Sequence, residues 1–350
     1  MFHPTYIEAR RAFRTAVEEA GGRHDALTVV PGTTPEEDLT IDVAVFGQGG
    51  RVLGLSSGLH GVEGFAGSAI QLQMLSNGLP EDVKVIFFHA LNPFGMHHIR
   101  RVNESNVDLN RNFLAPTEPY TGCSDGYHRL NGMLNPARPT RNWEFMIPKA
   151  IWQILRHGMP ALKTALAGGQ YAYPKGLFFG GAQLERSPAL FLDAIDRLYA
   201  GAEQIVHIDF HTGLGKSGSY ALLIDTEAGS AEHLQLREAF GDRIQPWDAG
   251  HGVAYKIRGG LPEAISRNAS RNTAVLTCEF GTVSALQVID ALREENQATH
   301  WGGDSAKAKA KLLAAFRPPS KAWEKAILRG GAYVIGQAIE HLRSDGAAAS

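Results

Sequence analysis

The chain has 350 residues, of which 44% are hydrophobic and 20% are charged, and its formal net charge is −2. This composition is typical of a globular enzyme, and the length allows one large α/β domain or two smaller ones. The small net charge and the absence of a block rich in lysine and arginine argue against nucleic-acid binding and against attraction to an anionic membrane.

The two cysteines, Cys123 and Cys278, do not form a disulfide framework, and so few of them is typical of a reducing compartment. Cys278 lies in a predicted strand, where a buried small apolar side chain is the favoured interpretation. The N-terminus lacks the apolar core of a signal peptide, and no run of about 18 apolar residues could span a membrane. We therefore expect a cytoplasmic protein with no membrane partner.

The hydrophobic pattern predicts both helices and strands along the chain. The first helix covers residues 6–19, with Ala9, Phe13 and Val17 on one face. Further helices are predicted at residues 67–75, 147–166, 305–316 and 320–342. Strands are predicted at residues 25–30, 38–46, 51–55, 83–88, 205–210, 220–225 and 274–278, and a turn at residues 92–95.

The predicted strands 83–88 and 205–210 are almost continuously apolar, which is typical of strands buried on both faces. Helical segments between the strands favour an α/β fold with a mixed, mostly buried β-sheet flanked by helices. We find no internal repeat and no linker, so residues 1–350 are predicted to form a single domain. Residues 116–187 are either a connecting region with a packed helix or an insertion that walls the active site.

A Gly-rich turn between strand 51–55 and helix 67–75 carries His60 and Glu63. Loops at the carboxyl ends of strands are where open α/β sheets place their sites. Histidine and glutamate are both zinc ligands, and a bent loop lets two residues at this spacing reach one ion. The pair alone occurs often by chance, so the hypothesis requires a third ligand, a general base and a carboxylate-binding group elsewhere.

Candidates for the third ligand and the base follow at the ends of later strands. His211 follows strand 205–210 and is the favoured third ligand, whereas His207 lies inside that strand and is better explained as a core histidine. Asp209 either holds neighbouring side chains or pairs with a core partner. Glu279 follows strand 274–278 and is either a surface residue or the base that takes a proton from a water activated by zinc.

The segment from residue 92 to residue 113 supplies the charged groups. Arg111 carries a planar guanidinium that suits bidentate capture of a carboxylate, and Asn110 beside it adds donors. Arg101 is a second cation, and either arginine could instead be a solvated surface charge. Asp108 has no cation beside it, which makes a role in orienting a histidine plausible.

The order of these motifs over residues 52–282 resembles the zinc carboxypeptidase superfamily. The motifs are HxxE, Asn-Pro-x-Gly, an arginine, Val-Asp-x-Asn-Arg, a strand-terminal His and a strand-terminal Glu. The chain is most similar to the bacterial intracellular branch of the domain-of-unknown-function type. The Asp-x-His-Thr element at residues 209–212 also resembles the succinylglutamate desuccinylase and aspartoacylase branch. The resemblance implies a zinc carboxypeptidase-like α/β/α fold.

The same resemblance implies a metal site. His60, Glu63 and His211 would bind one Zn²⁺, and Asp108 would accept a hydrogen bond from a ligand histidine, namely His60, and fix its tautomer. Two neutral histidines and one glutamate would leave the site with an open position.

Catalytic and substrate-binding roles are implied as well. Glu279 would be the general base and then the acid toward the leaving amine, and Arg101 would polarise the scissile carbonyl. Asn110 and Arg111 would bind the substrate's terminal carboxylate. Carboxypeptidases of this family also carry a mobile tyrosine before the glutamate, and Tyr255 matches that position.

Three functions are compatible with these residues. The first is a cytoplasmic zinc metallocarboxypeptidase acting on peptides, and the alternative is an N-acyl-amino-acid amidohydrolase acting on a small substrate with a free carboxylate. The third is an inactive binding protein. Tyr220 also precedes Glu279 and competes with the tyrosine above. Arg258, Arg267 and Arg271 are interpreted as solvated or paired charges rather than as contacts to an acidic substrate side chain.

Overall fold

The computed structural model of the protein describes residues 1–138, 168–247, 257–269 and 272–344. Within these ranges the chain forms an eight-stranded mixed sheet that is covered by helices on both faces. The predicted α/β fold with a mixed, mostly buried sheet is confirmed. The helix predicted at residues 147–166 lies outside the described residues.

The strands are β1 (His24–Val30), β2 (Leu39–Phe46), β3 (Arg51–Ser57), β4 (Lys84–His89), β5 (Gln204–Thr212), β6 (Tyr220–Ile224), β7 (Ile244–Pro246) and β8 (Thr273–Phe280). The helices of the described ranges are α1 (Tyr6–Glu19), α2 (Gly64–Asn77), α3 (Pro93–His98), α4 (Asp125–Leu134), α5 (Arg186–Leu198), α6 (Ala231–Phe240), α7 (Leu261–Asn268), α8 (Ala285–Trp301), α9 (Ser305–Phe316) and α10 (Lys321–Ser344). Short 3-10 helices cover Gly61–Glu63, Leu109–Arg111 and Gly241–Arg243. Among the described helices, none is both long and apolar enough to cross a lipid bilayer.

The strand order is β1-β2-β4-β3-β5-β8-β6-β7. The four central strands β4, β3, β5 and β8 are parallel, whereas β2 is antiparallel to β1 and β4, and β6 is antiparallel to β8. Parallel strands require crossover connections, which place helices on the sheet faces. The carboxyl ends of β3, β5 and β8 therefore lie side by side at one edge of the sheet.

Two apolar clusters hold the helices against the sheet. On one face α1, α2 and α10 contribute Phe13, Ile70 and Trp323. On the other face α5 and α7 contribute Phe191 and Leu261. All nine residues of β5 are buried, as the apolar run predicts. Burying each large apolar side chain stabilises the fold by roughly 1.5–3 kcal/mol, so the central strands are fixed from both faces.

The prediction of a turn at residues 92–95 is wrong, because these residues begin helix α3. The Asn92 side chain caps the helix by accepting a hydrogen bond from the Gly95 N–H at 2.8 Å. Pro93 is the first helical residue, a position where its missing N–H costs nothing. Strand β7 and helices α4, α5, α6, α7 and α8 are not predicted from the sequence either.

A buried histidine lies at the end of β4, in surroundings that disfavour its charged form. The His89 ring stacks on Phe13 with 4.6 Å between ring centroids, and its Nε2 lies 2.9 Å from the Ser68 hydroxyl. Its Nδ1 has no hydrogen-bond partner within the described ranges. Burial lowers the pKa of His89 to about 4, so the ring is neutral in the folded protein at pH 5, where the unfolded chain would bind a proton.

We expect this one residue to destabilise the fold by about 2 kcal/mol as the pH falls from about 7.5 to 5, because the lowered pKa favours proton uptake by the unfolded chain. A His89→Gln variant cannot take up this proton and should lose correspondingly less stability. Chemical denaturation of both proteins at the two pH values measures the free energy of unfolding. Equal losses in wild type and variant would contradict the assignment of a neutral, buried His89.

Candidate metal centre

The turn after β3 carries His60 and Glu63 and is fixed against the neighbouring loop by direct backbone contact. The Gly61 N–H donates to the Arg101 carbonyl at 3.2 Å. A Cβ atom at Gly61 would lie 2.1 Å from the carbonyl carbon of Gly95, so any residue other than glycine would push the two segments apart. This close approach positions the two predicted ligands relative to Arg101.

Three donor groups converge at the carboxyl edge of the sheet. Glu63 Oε1 lies 3.0 Å from His60 Nδ1, Glu63 Oε2 lies 3.1 Å from His211 Nδ1, and the two imidazole nitrogens are 3.2 Å apart. All three side chains are buried, and they form a group that could hold a metal ion. Two ligands at 2.0–2.1 Å from a tetrahedral ion are roughly 3.3 Å apart. The donor types and their spacing therefore fit a four-coordinate divalent metal with one position left open.

A carboxylate behind each imidazole fixes which nitrogen faces the centre. His60 Nε2 lies 3.1 Å from Asp108 Oδ1, and His211 Nε2 lies 2.5 Å from Asp209 Oδ2. A ring that donates through Nε2 keeps its Nδ1 lone pair for a metal. Asp209 is absent from the predicted site residues. Its spacing from His211 on a strand, which places both side chains on one face, is the signal that would have found it.

Neighbouring side chains favour the ionised forms of the carboxyl groups of Glu63 and Asp108. Burial opposes ionisation of Glu63, but the imidazoles of His60 and His211 outweigh it and lower the pKa of Glu63. Burial likewise opposes ionisation of Asp108, but the guanidinium of Arg101 beside it keeps the pKa of Asp108 well below its ordinary value. Both carboxylates are therefore ionised and available as hydrogen-bond acceptors or ligands.

Arg101 is brought directly onto the centre. Its Nε donates to Asp108 Oδ2 at 3.0 Å and its Nη1 to Glu63 Oε1 at 3.0 Å. The expectation that Asp108 has no cation beside it is therefore wrong, because the loop folds back and pairs two residues that are seven positions apart. Arg101 Nη2 also lies 2.7 Å from His60 Nε2. That nitrogen can donate to Asp108 or accept from Arg101, and only the first arrangement leaves Nδ1 free for a metal.

Glu279 lies at the end of β8, directly across from His211 in the parallel pairing with β5. It is 8% exposed, which excludes the alternative of a surface glutamate. Its Oε1 accepts a hydrogen bond from the Leu214 N–H at 3.0 Å. Burial, followed by the charge of Glu63, raises the pKa of Glu279 to about 7. A carboxyl group with such a pKa can both take and give a proton near neutral pH.

Arg111 is a buried cation with unused hydrogen-bonding capacity. It is 4% exposed, its Nη1 donates to the Asn110 carbonyl at 2.9 Å, and Asp108 lies 4.0 Å away. Its Nε has no partner in the described part of the chain. The Asn110 side-chain oxygen accepts from the Leu261 N–H at 3.0 Å, which fixes the amide against helix α7. Since a buried charge is costly without a partner, this guanidinium favours an anionic ligand.

The described part of segment 116–187 contacts both arginines. The Tyr171 hydroxyl donates to the Arg111 carbonyl at 2.7 Å. The Phe178 ring lies beneath the Arg101 guanidinium, with 5.8 Å between the guanidinium carbon and the ring centroid. Phe178 has a φ of 59°, a conformation that bulky residues rarely adopt. Within the described part of the segment, Tyr171 and Phe178 thus lie against the backbone of Arg111 and the guanidinium of Arg101.

The remaining predicted residues lie elsewhere. Tyr255 and Arg271 fall outside the described residues. Tyr220 pairs with Phe280 at the start of β6. Arg258 lies 3.9 Å from Glu118 and Arg267 lies 3.9 Å from Glu263, in agreement with the interpretation of these two arginines as paired charges.

Two further sequence interpretations are confirmed. His207 is fully buried inside β5, where its ring bonds to the side chains of Ser56 and Tyr199, so it is a core histidine and not a member of the donor group. Cys278 is a free, buried thiol in β8.

Residues 2–330 match the family described as "Protein of unknown function (DUF2817)", a match that spans most of the chain. The chain belongs to this family. No curated protein is detectably similar to it in sequence.

Several solved structures are similar to this DUF2817 chain. Carboxypeptidase A from Helicoverpa armigera has a TM-score of 0.52 and 15% identity, over 90% of this chain and 74% of its own. The murein-tripeptide amidase MpaA from Escherichia coli O157 has a TM-score of 0.41 and 17% identity, and the match covers 85% of this chain and 93% of the amidase chain. A succinylglutamate desuccinylase from Silicibacter sp. TM1040 has a TM-score of 0.40 and 14% identity, and the match covers 80% of this chain and 67% of the desuccinylase chain. The first similarity confirms the predicted zinc carboxypeptidase-like α/β/α fold, and at this identity it concerns the fold alone.

Proton competition should make metal binding by the DUF2817 centre depend on pH. Burial lowers the pKa of His211, but the Asp209 carboxylate outweighs burial and raises it well above its ordinary value. A metal ion must therefore displace a proton from His211, and its affinity should rise by up to about tenfold per pH unit. Competition with a chelator at several pH values from 6 to 8 measures this slope. The Asp209→Asn variant should show a shallower slope, and a pH-independent wild-type affinity would contradict the assignment.

Proposed function

We propose that this protein is a zinc-dependent metallohydrolase that cleaves an amide bond next to a free carboxylate, most simply the C-terminal peptide bond of a peptide. The observation that carries this proposal is the buried convergence of His60, Glu63 and His211 beside Glu279. Two imidazoles and one carboxylate are a donor set typical of catalytic zinc, because they leave a coordination position open.

Each remaining side chain of the site supports one part of the hydrolysis. A bound zinc ion would supply Lewis acidity, which polarises a carbonyl group and lowers the pKa of water. Glu279 takes the proton of the attacking water and later gives it to the leaving amine, a role that its buried position across from His211 supports. Arg101, at the edge of the donor group, stabilises the developing oxyanion. Removal of such a donor typically costs on the order of 100- to 1000-fold in rate.

Substrate binding is assigned to the buried cation. Arg111 would bind the free carboxylate of the substrate through donors that include Nε, which has no partner among the described residues, with the Asn110 amide as an additional donor. Tyr255 is proposed as a third substrate contact on the basis of its position before Glu279 in the sequence. Because Arg111 requires an anion, substrates with an amidated C-terminus should bind poorly.

A second candidate function is an N-acyl-amino-acid amidohydrolase. Asp209 and His211 belong to the Asp-x-His-Thr element, and they form a direct hydrogen bond. That element resembles the desuccinylase and aspartoacylase branch, whose chemistry is the same on a smaller substrate. Arg111 would then bind the carboxylate of the amino-acid part.

We further propose a cytoplasmic location. Cys123 and Cys278 are both free thiols. Free thiols are typical of proteins kept in a reducing compartment.

The functional test uses the zinc-loaded protein with a mixture of free-ended peptides, amidated peptides and N-acyl amino acids, followed by mass spectrometry. We expect removal of single C-terminal residues from free-ended peptides, with a rate reduced at least about 100-fold in Glu279→Gln, because the general base is lost. Cleavage restricted to acyl amino acids would favour the second candidate. Zinc bound without cleavage of any substrate would contradict both and favour an inactive binding protein.

Replacement of Arg111 by glutamine should separate binding of the carboxylate from the chemistry. We expect kcat/KM for free-ended substrates to fall about 10- to 100-fold, mainly through KM, because a charge-assisted bidentate contact is lost. The matched control is Arg267→Gln, whose guanidinium donates to the Phe113 carbonyl, and this variant should behave as the wild type. An unchanged KM in Arg111→Gln would contradict the assigned role.

A further inference from the structure

A chain of four hydrogen bonds runs from the interior of the protein to His211. The Tyr199 hydroxyl lies 2.6 Å from His207 Nδ1, and His207 Nε2 lies 2.9 Å from the Ser56 hydroxyl. Ser56 donates to Asp209 Oδ1 at 2.6 Å, and Asp209 Oδ2 lies 2.5 Å from His211 Nε2. The chain thus ends on the imidazole whose Nδ1 faces the other two metal donors.

The strand register builds this chain into the sheet. Ser56 lies opposite Asp209 in the parallel pairing of β3 with β5, and Gly54 lies opposite His207. His207, Asp209 and His211 alternate along β5 and therefore share one face. A Cβ atom at Gly54 would lie 1.8 Å from the Tyr199 hydroxyl oxygen. Only glycine at this position allows that hydroxyl to reach His207.

The donor and the acceptor of each hydrogen bond between Tyr199 and Asp209 can be assigned in one consistent way. The hydrogen bond from the Ser56 hydroxyl to Asp209 Oδ1 sets the direction, because a carboxylate oxygen is the acceptor. Ser56 therefore gives its proton to Asp209 and accepts from His207 Nε2–H. Burial keeps His207 neutral by lowering its pKa to about 4, which leaves Nδ1 as an acceptor for the Tyr199 hydroxyl.

The two carboxylates behind the ligand histidines obtain their second donors in different ways. Asp108 accepts from the guanidinium of Arg101, a group that we assign to the reaction itself. Asp209 instead accepts from Ser56, which is fully buried and is backed by His207 and Tyr199. The core of the protein, and not the substrate side of the site, therefore sets the orientation of Asp209.

We propose that Tyr199, His207 and Ser56 are positioning residues, which hold Asp209 in the orientation that makes His211 present its Nδ1 to the metal ion. Partners of a metal-bound histidine commonly change metal affinity 10- to 100-fold when they are removed. Here the ordered groups extend three residues beyond the carboxylate. Because the metal ion belongs to the function proposed above, the role of this chain depends on that function.

The test compares zinc dissociation constants, measured by chelator competition on metal-free protein, for the wild type and four variants. Ser56→Ala should weaken binding about tenfold or more, because Asp209 loses the hydroxyl that donates to it. Tyr199→Phe should weaken binding about threefold to tenfold, because His207 loses the hydroxyl that orients its ring toward Ser56. The double variant should bind no more weakly than Ser56→Ala, since Tyr199 acts only through Ser56. The matched control is Tyr6→Phe, which removes another fully buried hydroxyl, bonded to the Thr40 carbonyl at 2.9 Å, and its zinc affinity should be unchanged.

Nitrogen NMR of the histidine rings provides a readout that needs no metal and no activity. In the metal-free wild type, His207 should carry its proton on Nε2, because Nδ1 accepts from the Tyr199 hydroxyl and Nε2–H donates to Ser56. In Tyr199→Phe the proton should stay on Nε2, and the Nδ1 resonance should shift because that nitrogen loses its hydrogen bond. A proton on Nδ1 in the wild type would overturn the assigned direction of the chain. Circular dichroism establishes whether each variant is folded. If Ser56→Ala or Tyr199→Phe does not fold, His207→Gln interrupts the same chain and takes its place in the zinc-affinity comparison.

The outcomes separate this proposal from the proposed function. Wild-type protein that binds zinc, together with an unchanged affinity in folded Tyr199→Phe and Ser56→Ala, overturns the positioning role and leaves the function intact. Independent, multiplicative effects in the double variant overturn it as well. A wild-type protein that binds no zinc overturns both.

Discussion

The parallel alignment of β3, β5 and β8 is the constraint on which the site depends. It brings the carboxyl ends of the three strands to one edge of the sheet. The turn with His60 and Glu63 therefore lies next to His211 and Glu279. Side chains alternate along a strand, so a slip of one residue in β5 would turn His211 away from the other ligands. Burial of all nine residues of β5 between two apolar clusters makes such a slip costly.

The second constraint is electrostatic. Ionised side chains are costly to bury, by several kcal/mol each, unless partners satisfy them. Glu63 and Asp108 both accept from Arg101 and both contact His60, and Glu63 also contacts His211. Asp209 accepts from Ser56 and contacts His211. A network that is satisfied in this way is rigid, so the donor atoms are held in position before any metal or substrate arrives.

Arg111 departs from that arrangement, and the departure is informative. Its buried Nε finds no partner within the described ranges, and its contact to Asp108 is long. The carboxylates of Glu63 and Asp108 each have a direct contact to Arg101, whereas the Nε of Arg111 has none among the described residues, which supports the proposal that an anionic substrate group contacts it. The position of this cation thus supports the proposed preference for substrates with a free carboxylate.

The sequence predicted the elements whose patterns are local. Helix α1 has the predicted bounds, and the apolar run of β5 correctly indicated a strand buried on both faces. The meeting of His60, Glu63 and His211 was also predictable, because parallel strands end at one edge. The contact of Arg101 with Asp108 was not, since it depends on how a loop without periodic structure folds back.

The hydrogen-bonded chain behind His211 also required the structure. Asp209 and His207 are visible as polar residues in an apolar strand, but their partner Ser56 lies far away in sequence and is chosen by strand register. Tyr199 follows helix α5, an element that the sequence did not predict. Register and crossover geometry are properties of the whole sheet, and they decide which polar side chains meet.

The zinc K-edge X-ray absorption spectrum of the zinc-loaded protein tests the central claim most directly, because it reports the ligands of the ion without reference to activity. We expect one zinc per chain with two imidazole nitrogens and carboxylate or water oxygens at about 2.0–2.2 Å, and loss of the imidazole contribution when His60 and His211 are replaced. A sulfur ligand at about 2.3 Å, or a spectrum unchanged by those replacements, would contradict the assignment of the metal to this centre.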